Sequence, residues 1–190
     1  MRRITMTFNE KGLARAMKAA YRNYGYTVAQ TESGLLIITD NWGVGIKEAL
    51  IPNEIKGLIV CHAGKLPNEG EAIFIQKNSA SNQIYEVAVG RVRDLKQAWS
   101  DGLTLRIMPT RFTLDGMIIW QRVKDLKMAM VDPEDMQIID FTDLEAFEVA
   151  RAIYCENYAG FVYVEPGDPE DKSILLKHLE QMQCIPADME

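Results

Sequence analysis

The chain has 190 residues, of which 47% are apolar and 25% are charged, a composition typical of a folded globular protein and unlike that of disordered chains. Charge is unevenly divided, because residues 1–127 carry a net charge of +6 and residues 128–190 carry −12. No linker separates the basic portion from the acidic one. We therefore expect residues 1–190 to form a single compact domain that needs no disulfide or structural metal to fold.

The sequence also favours a cytoplasmic location. The three cysteines lie at spacings that match neither a disulfide framework nor a C-x-x-C site, which is typical of a reducing compartment. No apolar run approaches the ~20 residues that a membrane-spanning helix needs, and the first residues lack the apolar stretch of a signal peptide. We expect no membrane partner.

The first predicted element is a helix from Asn9 to Tyr24. Apolar side chains recur at the spacing of one helix face, Asn9 can cap the first turn, and Gly25 suits the left-handed position that ends a helix. The outward face carries four cations, Lys11, Arg15, Lys18 and Arg22. The opposite face is expected to be buried, with Leu13, Met17, Ala20 and Tyr21.

The middle of the chain predicts hairpins and two helices. The helices are expected from Pro52 to Ala63 and from Arg91 to Ser100, each followed closely by a glycine. Strands are expected at 26–32, 35–40, 46–51, 71–77, 83–89, 103–114 and 117–123, with a loop or bulge at 41–45. A two-residue loop at Asp115-Gly116 would place Arg111 opposite Trp120.

The last third predicts a single helical turn at 132–135, an aromatic strand at 161–165 and two further helices. The capping-box pattern at 142–145 predicts a helix over 142–158, and the aspartate and proline at 168–169 predict another over 168–183. Helices and hairpins follow one another without strict alternation. The predicted fold class is therefore α+β, with a mainly antiparallel or mixed sheet and about four to five helices.

Common catalytic and nucleotide-binding motifs are missing from the sequence. Gly43-Val44-Gly45 lacks the third glycine of a dinucleotide-binding loop, and Gly64-Lys65 lacks the spacing and the hydroxyl residue of a P-loop. No Glu-x-x-His pair or calcium-loop pattern occurs. The sequence predicts no metal, no cofactor and no catalytic residue.

An enzyme with a pocket built from dispersed residues is one alternative, and Cys61, His62 and His178 are its candidate residues. Adjacent residues on a helix point about 100° apart, so Cys61 and His62 cannot pair as nucleophile and base. Each histidine follows apolar residues by three and four positions, which predicts a histidine satisfied at the core margin. Cys61 is expected to be a small buried side chain.

The four cations of the first helix raise a second alternative, a nucleic-acid-binding protein. Phosphate contacts need cations on one surface, but a pI of about 5.1 and the absence of a known binding motif count against it. We expect acidic side chains of the helix at 142–158 to lie against these cations and to neutralise them partly. Those side chains are Glu145, Glu148 and Glu156.

Trp42 is the remaining candidate, because it lies among glycines where a large ring must either fill the core or anchor a partner, and core filling is favoured. The sequence identifies no activity. Our hypothesis is a non-catalytic interaction module that binds a protein partner, a second copy of itself or another macromolecule. Its candidate contact residues are Lys11, Arg15, Lys18, Arg22 and Trp42.

Overall fold

The structure, a computed structural model, describes residues 6–141, 144–167, 179–182 and 184. These residues form an α+β fold, as the sequence predicts. An 11-stranded sheet, in which every strand runs antiparallel to its neighbours, is packed against helices. In the described part of the chain no helix is long and apolar enough to cross a membrane.

The helices and strands of the described residues are mostly short. The helices are α1 (Glu10–Asn23), α2 (Asn53–Ala63), α3 (Tyr85–Ala88), α4 (Gly90–Ser100) and α5 (Pro133–Met136). The strands are β1 (Tyr26–Thr31), β2 (Gly34–Ile38), β3 (Trp42–Lys47), β4 (Ala72–Gln76), β5 (Ser79–Gln83), β6 (Thr104–Leu114), β7 (Met117–Arg122), β8 (Met128–Val131), β9 (Phe147–Val149), β10 (Ala152–Asn157) and β11 (Gly160–Val164). Across the sheet they follow the order β5-β4-β1-β2-β3-β11-β10-β9-β6-β7-β8.

The two faces of the sheet bury separate apolar clusters. The face that we name the α1 face packs against α1 and α2, and its cluster includes Leu13, Trp42 and Ile55. The opposite face, named the α4 face, packs against α3 and α4, and its cluster includes Leu95 and Tyr163. Because side chains alternate between faces along a strand, the strands β1, β2, β4, β10 and β11 contribute to both clusters.

The predicted helices α1, α2 and α4 are confirmed. The Asn9 side chain accepts a hydrogen bond from the Gly12 amide at 3.1 Å, and Gly25 follows α1 with a left-handed φ of 88°. Gly64 ends α2 in the same conformation, with a φ of 80°. Local capping chemistry therefore fixes these helix ends, as it fixes the single turn of α5, where the Asp132 side chain accepts from the Glu134 amide.

The buried face of α1 is confirmed at three of its four predicted positions. Leu13, Met17 and Ala20 are 0% exposed. Tyr21 is only partly buried, because its ring stacks on His62 of α2 with the ring centroids 3.9 Å apart. Tyr21 thus joins the two helices at the margin of the core instead of entering it.

The loop or bulge predicted at residues 41–45 is wrong, because residues 42–45 belong to β3, which pairs in regular register with both neighbouring strands. Gly43 lies opposite Tyr163 and Gly45 lies opposite Phe161 on β11. A Cβ atom on either glycine would come within 2.3 Å of the facing ring. The two aromatic rings occupy the space that side chains on β3 would need, so glycine is required inside this strand.

The strand predicted at 83–89 is also wrong. Asn78 adopts a left-handed φ of 62°, so Lys77 and Asn78 form a two-residue turn that leads directly into β5. Residues 85–88, the second half of the predicted strand, form α3 instead.

A bulge changes the predicted register between β6 and β7. Trp120 pairs with Pro109 and not with Arg111, since three residues, 110–112, lie opposite the single residue Ile119. The Thr110 hydroxyl donates to the Ile119 carbonyl at 2.9 Å and accepts from the Phe112 amide at 3.1 Å. This side chain replaces ladder hydrogen bonds that the bulge removes.

The helix predicted over 142–158 is wrong in its described part. Residues 147–149 and 152–157 are strands β9 and β10, joined by Ala150 and Arg151, which have left-handed φ angles of 46° and 75°. Ile153 and Cys155 face one apolar cluster while Tyr154 faces the other. Burial on both faces favours a strand over a helix in this segment. Thr142 lies outside the described residues, and so does most of the helix predicted over 168–183.

Candidate ligand-binding cavity

A cavity of about 640 Å³ lies on the α4 face, between the sheet and the segment formed by α3 and α4. Its floor is a row of residues that the strand register places side by side from β4 to β11. The row consists of Phe74, Thr27, Ile38, Gly43 and Tyr163. Neighbours in such a row point to the same face, so the register alone assembles the floor.

Neighbouring residues of the same face bound this space. The Tyr163 ring covers Gly43, and the next row of the face begins with Ala72 and Ala29, both buried. Leu95 and Val92 of α4 pack further along the sheet, over β9 to β11. The resulting volume falls within the range of roughly 300–1,000 Å³ that is usual for small-molecule sites.

The roof and the rim come from residues far apart in the chain. Val87 and Ala88 of α3 and Arg91 of α4 cover the floor. At the rim, the Thr39 hydroxyl accepts a hydrogen bond from the Trp42 amide at 3.1 Å and shapes the turn between β2 and β3. This turn places the exposed carboxylate of Asp40 beside the opening.

An ion pair between Arg91 and Glu165 closes one side of the cavity. Arg91 Nε donates to Glu165 Oε1 at 2.6 Å, and Nη2 donates to Oε2 at 2.8 Å. Nη2 also donates to the Ala150 carbonyl at 3.0 Å. The hydrogen bonds to Glu165 raise the pKa of Arg91, and the two-point geometry fixes the guanidinium plane.

Two further polar groups line the floor. The Thr27 hydroxyl donates to Gln83 Oε1 at 3.1 Å, which leaves the Gln83 amide N–H groups without a partner among the described residues. The Tyr163 hydroxyl likewise has no hydrogen-bond partner in the described part of the chain. Burial, with a contribution from Glu165, raises the pKa of Tyr163, so this hydroxyl stays protonated at neutral pH.

The charges around the cavity favour a particular kind of ligand. Asp40 and Glu165 supply two carboxylates and Arg91 supplies one cation, so the charged groups of the lining sum to −1. Since Arg91 already neutralises Glu165, the Asp40 carboxylate is the group that can accept from a ligand. A small organic molecule with N–H donors and a flat apolar part matches this lining, because aromatic side chains contribute to the walls.

The cationic face predicted on α1 lies on the other side of the sheet from this cavity. Its four members, Lys11, Arg15, Lys18 and Arg22, are exposed, and none forms an ion pair with another described residue. Their role in partner contact stays a prediction.

The acidic side chains expected against this cationic face have other partners. Glu145 pairs with Arg106 at 3.1 Å, Glu148 with Arg122 at 3.4 Å, and Glu156 with Lys96 at 3.7 Å. The expected neutralisation by these three residues is wrong, because they lie on or beside strands instead of on a helix facing α1.

Trp42 is 0% exposed and belongs to the cluster of the α1 face, so the core-filling interpretation is confirmed for its side chain. A fully buried ring presents no contact surface to a partner. It therefore lies apart from the four exposed cations that the sequence grouped with it.

Cys61 and His62, the described residues of the enzyme alternative, do not line the cavity. His62 is held by Tyr26, whose hydroxyl lies 2.8 Å from Nδ1, and burial together with Lys18 lowers the pKa of this histidine. It is a satisfied histidine at the core margin, as predicted. Cys61 is exposed, not buried as predicted, since α2 buries only Ile55 and Ile59, and His178 lies outside the described residues.

Sequence reasoning missed every polar group of the cavity, because Arg91 and Glu165 are 74 positions apart and no local motif joins them. The sequence does contain one signal for the pairing of β3 with β11. Glycines two positions apart in Gly43-Val44-Gly45 and aromatic residues two positions apart in Phe161-Val162-Tyr163 fit neighbouring antiparallel strands.

Comparison with protein-family models, with curated proteins and with solved structures gave no match. No group of three or more potential metal ligands occurs among the residues that the structure describes.

Proposed function

We propose that the protein is a non-catalytic binding module whose ligand is a small, flat organic molecule bearing N–H donors, held in the cavity of the α4 face. The observation that carries this proposal is the convergence of two acceptors, the Asp40 carboxylate and the Tyr163 hydroxyl, on one cavity with an aromatic lining.

Because the cavity lining has a net negative charge, the proposal is tested by comparing ligands of opposite charge. Ligand-observed NMR with matched aromatic amidines and aromatic carboxylates tests the proposal directly. We expect amidines to bind saturably and carboxylates of the same shape not to bind, since the charged lining sums to −1. Binding of the carboxylates alone, or of neither set, would contradict the proposal.

Two variants locate the binding site. Ala88→Phe puts a ring from the roof into the cavity and should abolish amidine binding. Tyr163→Phe removes only the hydroxyl and should weaken binding by roughly 5- to 10-fold, as expected for one hydrogen bond. Tyr158→Phe, at an exposed position outside the cavity lining, is the matched control and should leave the affinity unchanged. Equal affinities in all three variants would place the amidine elsewhere.

A further inference from the structure

The two edge strands of the sheet, β5 and β8, differ in how their outer backbone groups are used. On β8, the Gly167 amide donates to the Met130 carbonyl at 2.9 Å, and the Met128 amide donates to Glu180 at 3.3 Å. On β5, all five residues are exposed, and no described residue outside β4 bonds to their backbone. Among the described residues, one edge is covered and the other is bare.

The bare edge also lacks the usual devices that prevent pairing with another chain. Natural edge strands are protected by charges, prolines, bulges or a covering segment. The sequence of β5, Ser79-Ala80-Ser81-Asn82-Gln83, contains no charge and no proline, and its register with β4 is regular. Such an edge is open to a further strand.

Strand geometry identifies which groups face outward. The two-residue turn is closed by the pair Gln76 and Ser79, which are therefore hydrogen-bonded to each other. By alternation, Ser81 and Gln83 also direct their backbone groups to β4. Ala80 and Asn82 direct their N–H and C=O groups away from the sheet.

We propose that β5 pairs antiparallel with β5 of a second copy of this chain, about a two-fold axis at Ser81. In this register Ala80 faces the partner's Asn82 and Asn82 faces the partner's Ala80, so the two pairs form four backbone hydrogen bonds. Ser81 faces the partner's Ser81, and every side chain of the paired strands is uncharged. The edge is complementary to itself in hydrogen bonding and in charge.

Exposed apolar side chains next to β5 support a protein partner at this edge. Ile84 and Val87 are 72% and 76% exposed, the highest values among the large apolar side chains of the described residues. The two-fold axis places Ile84 opposite the partner's Asn78, at each end of the paired strands. Pairing would cover part of the apolar surface that the single chain leaves in water.

The interface is small, because five residues at about 3.4 Å each span roughly 17 Å. We expect a reversible dimer with a dissociation constant on the order of 10⁻⁵ M, as for small transient interfaces. Sedimentation equilibrium from about 1 µM to about 500 µM, which brackets such a constant, should show the mean mass rising toward twice that of one chain. A constant monomer mass over this range would overturn the proposal.

Ala80→Pro tests the backbone pairing, because it removes an outward N–H without removing a bond to β4. We expect this variant to remain monomeric, whereas Ala80→Val, which keeps the N–H at similar volume, should dimerise like the wild type. Dimerisation of Ala80→Pro equal to that of the wild type would overturn the proposed pairing.

A charge exchange at Ser81 tests the two-fold axis without relying on proline. Ser81→Lys and Ser81→Glu each place like charges opposite each other in the dimer, so each variant alone should be monomeric. An equimolar mixture should recover the dimer. A mixture that stays monomeric, or single variants that dimerise normally, would exclude Ser81 as the centre of the interface. If the protein stayed monomeric and instead bound foreign extended peptides at this edge, peptide addition would replace self-pairing as the role of β5.

Discussion

The two faces of the sheet use their residues in opposite ways. Ten of the twelve largest fully buried side chains in the described chain belong to the α1 face, among them Trp42, Trp120 and Leu13. The α4 face has glycines and alanines along the centre of the sheet and large rings toward β9–β11. The first face is packed to stabilise the fold, whereas the second leaves space that a ligand can occupy.

Truncation of a large side chain should separate the two faces most clearly. Leu13→Ala on the α1 face should lower the free energy of unfolding by ~2–5 kcal/mol, because Leu13 is 0% exposed and its loss leaves a cavity. Val87→Ala on the roof of the α4 face removes an exposed side chain and should change it by less than ~0.5 kcal/mol. Urea denaturation of both variants measures the contrast, and equal losses would show that Leu13 does not fill a packed core.

Addition of a methyl group should be costly where a glycine lies beneath a ring. Gly43→Ala would bring a Cβ to 2.3 Å from the Tyr163 ring and should destabilise the fold by ~1–3 kcal/mol. Gly57→Ala is the matched control, because no atom lies within 4 Å of its Cβ and the position is inside α2. This control should gain ~0.5–1 kcal/mol from helix propensity. If both variants gained stability in thermal unfolding, the ring would not limit β3.

Local signals in the sequence predicted the packed face better than the open one. Asn9, Gly25 and Gly64 define helix ends by their own backbone chemistry, so α1 and α2 could be placed from short windows. The capping-box pattern at 142–145 failed because the strand β10 gains burial on both sides from residues distant in sequence. In this segment, burial against distant residues outweighed the local capping pattern.

The cavity could not be predicted for the same reason. Its floor takes one residue from each of five strands, and its ion pair joins α4 to the residue after β11. Register is a property of the assembled sheet, and the bulge that moves Trp120 opposite Pro109 shows that even a clear hairpin signal does not determine it.

A carboxyl group at the margin of the α1 face should make stability depend on pH. Burial, with Asp132 and Glu134 nearby, raises the pKa of Asp135 to about 6, above the value of about 3.9 in an unfolded chain. Between these two values the folded protein holds a proton that the unfolded chain has released, so stability falls as pH rises through this window.

Asp135→Asn removes this titration. The variant should be more stable than the wild type by about 1 kcal/mol at pH 7, since the carboxyl is only partly buried and solvent screens it, and equal to it near pH 4. Chemical denaturation across this range checks the sign. A stability difference that is the same at both pH values would show that Asp135 does not titrate in this window.

The smallest predicted effect concerns the ion pair beside the cavity on the α4 face. Arg91 and Glu165 have side-chain exposures of 36% and 26%, whereas Arg93 and Glu86 on the neighbouring surface have 65% and 74%. A double-mutant cycle with Arg91→Ala and Glu165→Gln should give a coupling free energy of ~1 kcal/mol, because two-point hydrogen bonding and partial burial strengthen the pair. The same cycle on Arg93 and Glu86 should give ~0–0.5 kcal/mol, since that pair is solvated and its atoms are 3.5 Å apart. Equal coupling in the two cycles would mean that the cavity wall is as solvated as the outer surface of α4. Recognition by the buried Tyr163 hydroxyl would then lose the low-dielectric environment that strengthens it.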